Sequence, residues 1–596
     1  MKAGAKSYFF FNPVKHIVID SENEIETKFN QVEKCLKEGL NGFTLIPYET
    51  GYIFEERLHK YIIEKNDKPF FEFFFYDNIN SEICLTSDLN FDSITEHSEA
   101  KTYSITKYKL NTSKESYCRS IDKIKKYIEA GDTYQVNYTV KGNFNFEGDL
   151  IALIYNLIYN QSAGYTAIIN LGDRLVLTIS PELFFTIEGK DIIVKPMKGT
   201  IRRGYSLFND NEKKVFLQND EKNKAENVMI VDLLRNDLGR ICEYDTVKTT
   251  SLFDIEKYET LFQMTSTIRG KLNTNNFYEI IKNIYPSGSI TGAPKIRTME
   301  IIKELETGSR GYYTGTIGLF VDAKKIFNIP IRTITIGNNN KGEIGIGSGV
   351  VWDSIAEEEY EETLLKADFL RKPPEIFELF ETMLYESGEI FLYNFHKKRI
   401  NEAAQYFLFY FDAEKYDEAV NNVLQNFESN KSYRIKIILN KWGQLRVEYS
   451  LFSTSNKDIK LYVSPFRIDE KDKYFYFKTT KRKLYDDELN SAKAEGFDEV
   501  IFLNNQNEIT EGSITNIFLR IGSEWFTPPI ESGLLNGCYR DYLLKARSDH
   551  HSKKLFLPDL IKCDEIKCVN SLRKERSVSE LFVNNKLYKK QTSFTD

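Results

Sequence analysis

Residues 345–366 read GIGSGVVWDSIAEEEYEETLLK, and the reading of the first half of the chain turns on them. The opening run, Gly345-Ile346-Gly347-Ser348-Gly349, is rich in glycine. Glycines let a backbone approach a ligand closely and turn amide N–H groups toward an anion. The same run also suits a strand with bulges. The closing EEEYEETLLK has helical spacing, with Glu359, Glu362 and Lys366 on one face. Two carboxylates on a face can hold Mg²⁺, a hard ion that wants oxygen ligands; taken alone, a solvated Glu–Lys face is the plainer reading. The helix predicted over 357–370 runs into Arg371-Lys372-Pro373-Pro374, and a proline pair cannot continue it. The main domain boundary is therefore placed after residue 372.

Working upstream, Ser287 to Lys295 is a small-residue loop running into a helix with Pro294 in its first turn, where proline is tolerated. Ile296, Met299, Ile302 and Leu305 form the expected buried stripe. A helix start behind such a loop is a carboxylate or phosphate site, and its spacing is not that of a nucleotide P-loop. Pro196-Met197-Lys198-Gly199-Thr200 puts Lys198 on a strand, where desolvation would make it a nucleophile with a lowered pKa. A strand turn would bring Glu182 of Ser180-Pro181-Glu182 near it, and an acid beside a nucleophile suits displacement of a hydroxyl leaving group. No histidine lies between His97 and His396, so the catalytic base of this core is not histidine. Helices expected over 116–130 and 224–238, strands over 165–170 and 175–178, and no regular βαβ alternation together give an α+β fold.

Downstream, Lys478 follows an aromatic run, Tyr474 to Phe477, read as a strand. Glu511 would stand at a strand end after the turn at 504–507, and Gly533 to Arg540 would open a helix whose first amides can cradle a phosphate. Strands are expected over 433–439 and 499–503.

Bulk properties exclude several classes. The chain has 596 residues, enough for several domains. A net charge of -7 gives no general attraction to nucleic acid or anionic membrane. Seven scattered cysteines form no CxxC pair, which argues against zinc and suits a reducing cytosol. No apolar run approaches a membrane span, and Asn12-Pro13 ends the Phe9–Phe11 run too early for a signal peptide.

The ordered motifs of residues 115–370 resemble the chorismate-utilising family: the anthranilate synthase large subunit, aminodeoxychorismate synthase component I, and the isochorismate and salicylate synthases. Besides those above, they include Gly131-Asp132-Thr133-Tyr134-Gln135-Val136-Asn137, Ala225-Glu226-Asn227, Arg235 to Arg240, Gly292-Ala293-Pro294-Lys295, Tyr313-Thr314-Gly315 and Ile331-Arg332-Thr333. The resemblance implies an antiparallel-sheet α/β sandwich, with residues 1–110 as its variable N-terminal part and 111–372 as the catalytic core. It implies Mg²⁺ held by Glu226 and Glu362 with Glu359 near it, and general acid catalysis by Glu182. Tyr313, Arg332, Lys366 and the amides of Gly347, Ser348 and Gly349 would hold the enolpyruvyl carboxylate, with Gly292 also at the substrate. Lys198 matches the aminodeoxychorismate synthases, in which this lysine attacks C2; anthranilate synthases typically carry alanine there. Two positions depart from the pattern: Gln263, where many relatives have histidine, and Asn223, where an acid is usual.

Residues 376–590 resemble the fold-type IV pyridoxal-phosphate enzymes: aminodeoxychorismate lyase and the branched-chain and D-amino-acid aminotransferases. Leu379-Phe380-Glu381-Thr382, His396-Lys397-Lys398-Arg399 and Asn570-Ser571-Leu572-Arg573 belong to the same pattern. The resemblance implies a two-subdomain fold over 373–596. Lys478 would bond the cofactor and Glu511 would pair with its pyridine nitrogen. Arg399, Asn516 and the amides of Cys538 and Tyr539 would hold its phosphate, and Arg573 a substrate carboxylate. The product expected of the first half is the substrate of such a lyase, so the whole chain is expected to make 4-aminobenzoate. Ammonia would come from a separate glutamine amidotransferase subunit, and a homodimer through the second half is a further expectation. An anthranilate synthase joined to an aminotransferase, an isochorismate or salicylate synthase, and a non-catalytic scaffold are the alternatives.

Overall fold

Phe71, Phe73 and Phe75 alternate along the strand Phe71–Tyr76 and stack ring on ring, with centroids 6.2 and 6.4 Å apart. A period of two puts all three on one face, which is fully buried. That strand belongs to a ten-stranded sheet in the computed structural model, which describes residues 6–62, 68–85, 102–453, 458–584 and 586–590. The sheet is antiparallel throughout and runs from Met197–Arg202 past Leu261–Lys271 to the early strands Asn41–Ile46, Phe71–Tyr76 and Lys15–Ile19. A second antiparallel sheet of seven strands is centred on Gln135–Gly148 and Lys341–Val350, paired from Val136↔Val350 to Asn145↔Lys341 without a register shift. Residues of both sheets, Phe73 and Ile192 from one and Val136 and Ile346 from the other, share one apolar core. This is the expected α+β sandwich.

By internal contacts the chain divides into two units, broken between Glu375 and Ile376, and Gly204–Lys213 groups with the later unit. The later unit holds a four-stranded antiparallel sheet built on Leu379–Glu386 and Tyr433–Leu439. It also holds a nine-stranded mixed sheet in which Ile459–Ile468 runs parallel to both Glu499–Asn504 and Lys574–Val583. These are the two expected subdomains.

Local chemistry explains the departures from the sequence reading. The helix expected from 224 begins at Glu221, because the Asp220 side chain accepts the Asn223 N–H and caps an extra turn. The helix expected over 357–370 is two, Ala356–Lys366 and Asp368–Arg371; the Ala367 N–H reaches back to Leu364 as well as Leu365 and tightens the last turn. Pro294 sits before the first turn of Lys295–Leu305, since Gly292–Ala293 pairs with Val136 and Gln135 as a short strand and keeps the chain extended. The inward face of that helix is Thr298, Met299, Ile301 and Ile302, with Ile296 and Leu305 only half-buried. Tyr474 to Phe477 is not a strand: Asp472 accepts the Tyr474 N–H and nucleates a 3₁₀ turn over Lys473–Phe475, and the Tyr474 ring packs on Phe377 and Phe407.

Candidate active sites

In the first unit, Lys198 sits where the pairing of Met197–Arg202 with Leu261–Lys271 slips between Met197 and Thr200. Gly199 takes a φ of +98° there, and such a bulge re-aims the neighbouring side chain. The Lys198 carbonyl accepts from Asn227 Nδ2 at 3.1 Å, and Asn227 in turn accepts from Ser266 Oγ at 2.6 Å. The Lys198 ammonium lies 3.9 Å from Glu226 Oε2. Burial lowers its pKa, opposed chiefly by the negative charge of Glu226. Glu182 is 5% exposed, and its Oε1 accepts from Ser289 Oγ at 2.8 Å. Burial pushes its carboxyl up to about 7, against the pull of the Ser289 hydrogen bond and the Lys198 charge. The pair is thus a lysine driven toward the free amine and a glutamic acid still protonated near neutrality.

The glycine run is a regular strand, not a loop, and its glycines take alternate positions on one face. A Cβ on Gly345 would lie 2.1 Å from the Tyr313 ring, one on Gly347 2.8 Å from Thr139 Oγ1, and one on Gly349 3.0 Å from Lys198 Nζ. The Tyr313 hydroxyl meets the Gly347 amide, and burial raises its pKa. Ser348 points to the other face, 3.4 Å from the Tyr117 hydroxyl. Lys366 Nζ donates to the Gly347 carbonyl at 2.9 Å and pairs with Glu362 at 2.7 Å. Gly292, at φ +143°, lets the Gln135 carbonyl pass where a Cβ would stand 2.0 Å away.

The candidate metal ligands are engaged separately. Glu226 faces Lys198, Glu362 faces Lys366, and Glu359 Oε1 accepts from Ser354 Oγ at 2.7 Å. All three favour the charged form of Lys198, so they share its surroundings. Among the described residues, however, the group whose three ligand atoms lie within 4.8 Å of one another is Glu381, His396 and Cys538. As a donor set, three carboxylates suit a hard divalent cation. Arg332 is half-buried with its guanidinium on Gln161, and desolvation lowers its pKa against the charge of Glu259. The sequence reading missed Ser289, Asn227 and Gln135, whose buried Oε1 has no hydrogen-bond partner among the described residues and whose amide lies beside Gly349. Each stood inside a quoted motif, but only the fold shows which atom it holds.

In the later unit, Lys478 lies against the strand Leu379–Glu386, its carbonyl accepting the Phe380 N–H at 3.1 Å and its ammonium 4.8 Å from the Phe380 ring centre. Burial and the neighbouring Arg399 charge lower its pKa to about 8. Arg399 forks onto Glu381 at 2.8 and 2.6 Å, and His396 Nδ1 lies 2.7 Å from Glu381 Oε2. The arginine holds the Glu381 carboxyl at about 2, well below its ordinary value. Burial raises Glu511 to about 8. Glu511 accepts from Asn516 Nδ2 at 3.1 Å and the Tyr485 hydroxyl at 3.3 Å. Asn516 also donates to the Leu535 carbonyl at 2.9 Å, so its amide nitrogen fixes Glu511 and the loop before the helix Cys538–Ala546. A Cβ on Gly537 would lie 2.0 Å from Asn516 Oδ1, so only glycine opens that helix start. The Tyr539 side chain turns away to Glu575, leaving its amide at the helix start. Arg573 lies in the turn before Lys574–Val583, with its guanidinium 5.9 Å from the Phe452 ring centre. A half-buried lysine, a buried acid and a glycine-opened helix start fit the aldehyde, pyridine nitrogen and phosphate of pyridoxal phosphate.

The chain belongs to the chorismate binding enzymes, whose family pattern matches residues 2–372, and residues 378–581 match the class IV aminotransferases. It thus pairs a chorismate-binding enzyme with a class IV aminotransferase-like domain. The aminodeoxychorismate synthase component 1 of Bacillus subtilis (strain 168) is 37% identical over 266 residues, 44% of this chain and 56% of that protein. The anthranilate synthase component 1 of Saccharolobus solfataricus is 31% identical over 354 residues, 58% of this chain and 83% of that protein. The structure of anthranilate synthase component I from Streptococcus pneumoniae TIGR4 superposes with a TM-score of 0.52 at 23% identity, over 62% of this chain and 93% of that one, a likeness of fold. The chain spans between about a third and about half the length of the curated aminodeoxychorismate synthases it matches. Among the described residues no helix is long and apolar enough to cross a membrane.

Proposed function

We propose that the chain converts chorismate to 4-amino-4-deoxychorismate and then to 4-aminobenzoate and pyruvate, serving folate synthesis. The observation that carries this reading is Lys198, a half-buried amine lowered in pKa, facing Glu226 and accompanied by a Glu182 carboxyl at about 7. Lys198 adds to C2 of chorismate, both ring double bonds shift, and the C4 hydroxyl leaves as water with the proton of Glu182. Ammonia then adds at C4 and returns a proton to Glu182, both double bonds shift back, and the Lys198 amine leaves C2. Glu226, Glu359 and Glu362 would hold Mg²⁺, whose charge would bind the ring carboxylate. Tyr313, Arg332, Lys366 and the strand amides of 347–349 would hold the enolpyruvyl carboxylate. The ammonia is that of a separate glutamine amidotransferase subunit.

In the second half, pyridoxal phosphate would be held by Lys478, Glu511, Arg399 and the first amides of Cys538–Ala546, and when bound it supplies an electron sink. Lys478, at about 8, is suited to take the C4 proton as pyruvate leaves and the ring becomes aromatic. Lyase chemistry is favoured over transamination because its substrate is the first half's product.

The test is to incubate the full chain with chorismate, Mg²⁺, pyridoxal phosphate and ammonium at alkaline pH and separate the products. 4-Aminobenzoate with equimolar pyruvate is the expected result. Aminodeoxychorismate alone would make the second half a transaminase, and 2-aminobenzoate or isochorismate would refute the role given to Lys198.

A further inference from the structure

A cavity of about 400 Å³ opens in the first unit between the segment Pro47–Thr50 and the far ends of the strands that carry the glycine run. Its size is that of a small-molecule site. Glu343 on its wall and Gly349 at the candidate active site are six residues apart on one strand, about 20 Å at ~3.4 Å per residue. The cavity is therefore separate from the chorismate chemistry.

Its charges do not balance. Four cations, Lys68, Lys141, Arg174 and Lys341, line it with three carboxylates, Glu49, Asp173 and Glu343. Asp173 is spent on Arg174, at 2.5–3.1 Å. Glu49 accepts the backbone N–H groups of Arg310 and Gly311, at 2.5 and 3.1 Å, and its charge also acts on Lys68. Glu343 lies between two ammonium groups, 2.9 Å from Lys141 and 3.5 Å from Lys68, so the lining keeps one cation in excess, four against three. Both lysines are largely withdrawn from water, their side chains 18% and 14% exposed. Lys341 stands exposed on the rim, without an ion-pair partner among the described residues. A cation held out of water calls for an anion.

The fold also makes room for Lys68. Gly311, at φ +66°, leaves the space in which a Cβ would stand 2.4 Å from its Nζ, and the Tyr312 ring lies 4.8 Å from the same atom. Pro47, Pro69 and Phe70 give the cavity an apolar side. Desolvation lowers the Lys68 pKa, and an anion placed there would oppose that shift.

We propose that this cavity binds a small organic carboxylate with a flat apolar body, its carboxylate between Lys68 and Lys341 and its body against Pro47, Pro69 and Phe70. The site stands independently of the reaction assigned above. Isothermal titration of the full chain with benzoate, 4-aminobenzoate and inorganic phosphate tests it. The expected result is carboxylate binding with a Kd below about 1 mM, with phosphate weaker. Lys68→Met and Lys341→Met each weaken it at least tenfold, whereas Arg332→Ala in the chorismate site leaves it unchanged. If Lys68→Met does not fold, Lys341→Met on the exposed rim decides. Three results overturn the proposal: no binding at millimolar probe, binding indifferent to the lysine variants or lost in Arg332→Ala, or phosphate bound as tightly as benzoate.

Discussion

Ser289→Ala isolates the acid of the first half. Its hydroxyl is the side-chain donor to Glu182, 2.8 Å from Oε1, and the Glu182 carboxyl itself is buried. That bond favours the ionised carboxylate and holds its pKa down to about 7 against burial. A hydrogen bond to a charged group is worth about 1.5–3 kcal/mol, and one pKa unit is about 1.4 kcal/mol, so its loss raises Glu182 by about one to two units. The sign follows from the role. In the proposed mechanism Glu182 is the protonated acid, so the rate falls as pH rises through its pKa, and Ser289→Ala moves that falling limb to higher pH. A shift from about 7 to about 8 raises the protonated fraction at pH 8 from roughly a tenth to roughly a half. The rate at pH 8, relative to the variant's own plateau, should then rise about fivefold, although the plateau drops because the acid is weaker. The assay is kcat/KM for chorismate against pH with free ammonia held constant, following aminodeoxychorismate. A falling limb that does not move, or that moves to lower pH, would show that Glu182 is not the acid.

Glu182→Gln should abolish amination yet raise the melting temperature above pH 7. A carboxyl whose folded pKa is raised loses stability as pH climbs from about 4.5 to about 7, at most about 3 kcal/mol for that shift, and the amide escapes this; equal melting curves at pH 8 would contradict it. Lys478→Ala should stop the pathway at aminodeoxychorismate, with 4-aminobenzoate released only at the spontaneous rate and no borohydride-bleachable pyridoxal absorbance; undiminished 4-aminobenzoate would remove Lys478 from the chemistry. Gly345→Ala should displace the Tyr313 ring, costing about 1–3 kcal/mol of stability and raising KM for chorismate, because the added methyl would sit 2.1 Å from that ring; denaturant melts and steady-state kinetics check it.

The fold class was legible because hydrophobic period and punctuation are local. The strands Tyr165–Asn170 and Tyr433–Leu439 lie where runs of β-branched and aromatic residues put them, and Pro373-Pro374 stands close to the break between the units at Glu375. Tyr474 to Phe477 misled because aromatic residues favour strands on average, while here one aspartate side chain and two distant phenylalanines bend the run into a turn. Nearness of Glu182 to Lys198 was foreseeable from their flanking strands, but Ser289 arrives from a loop more than 100 residues later. Similarly, Asn516 was read as a phosphate ligand, and only the folded chain shows its amide nitrogen on Glu511 and Leu535. Charge balance in the cavity of Lys68 and Glu343 escaped the sequence altogether, since those residues lie 275 positions apart.

The floor of the first site is written in missing side chains. Gly345, Gly347 and Gly349 leave one face of a strand bare, and the space is taken by groups from elsewhere in the chain. Such a floor cannot be tuned. A new side chain there does not adjust the pocket but evicts the tyrosine, the threonine or the lysine that occupies the space. New substrate preferences on this scaffold must therefore evolve through the visiting residues, by replacing Lys198 or Tyr313, while the strand beneath stays constant. A saturation library across 345–349 should accordingly show a comb, with positions 345, 347 and 349 intolerant and 346 and 348 admitting other residues of similar bulk.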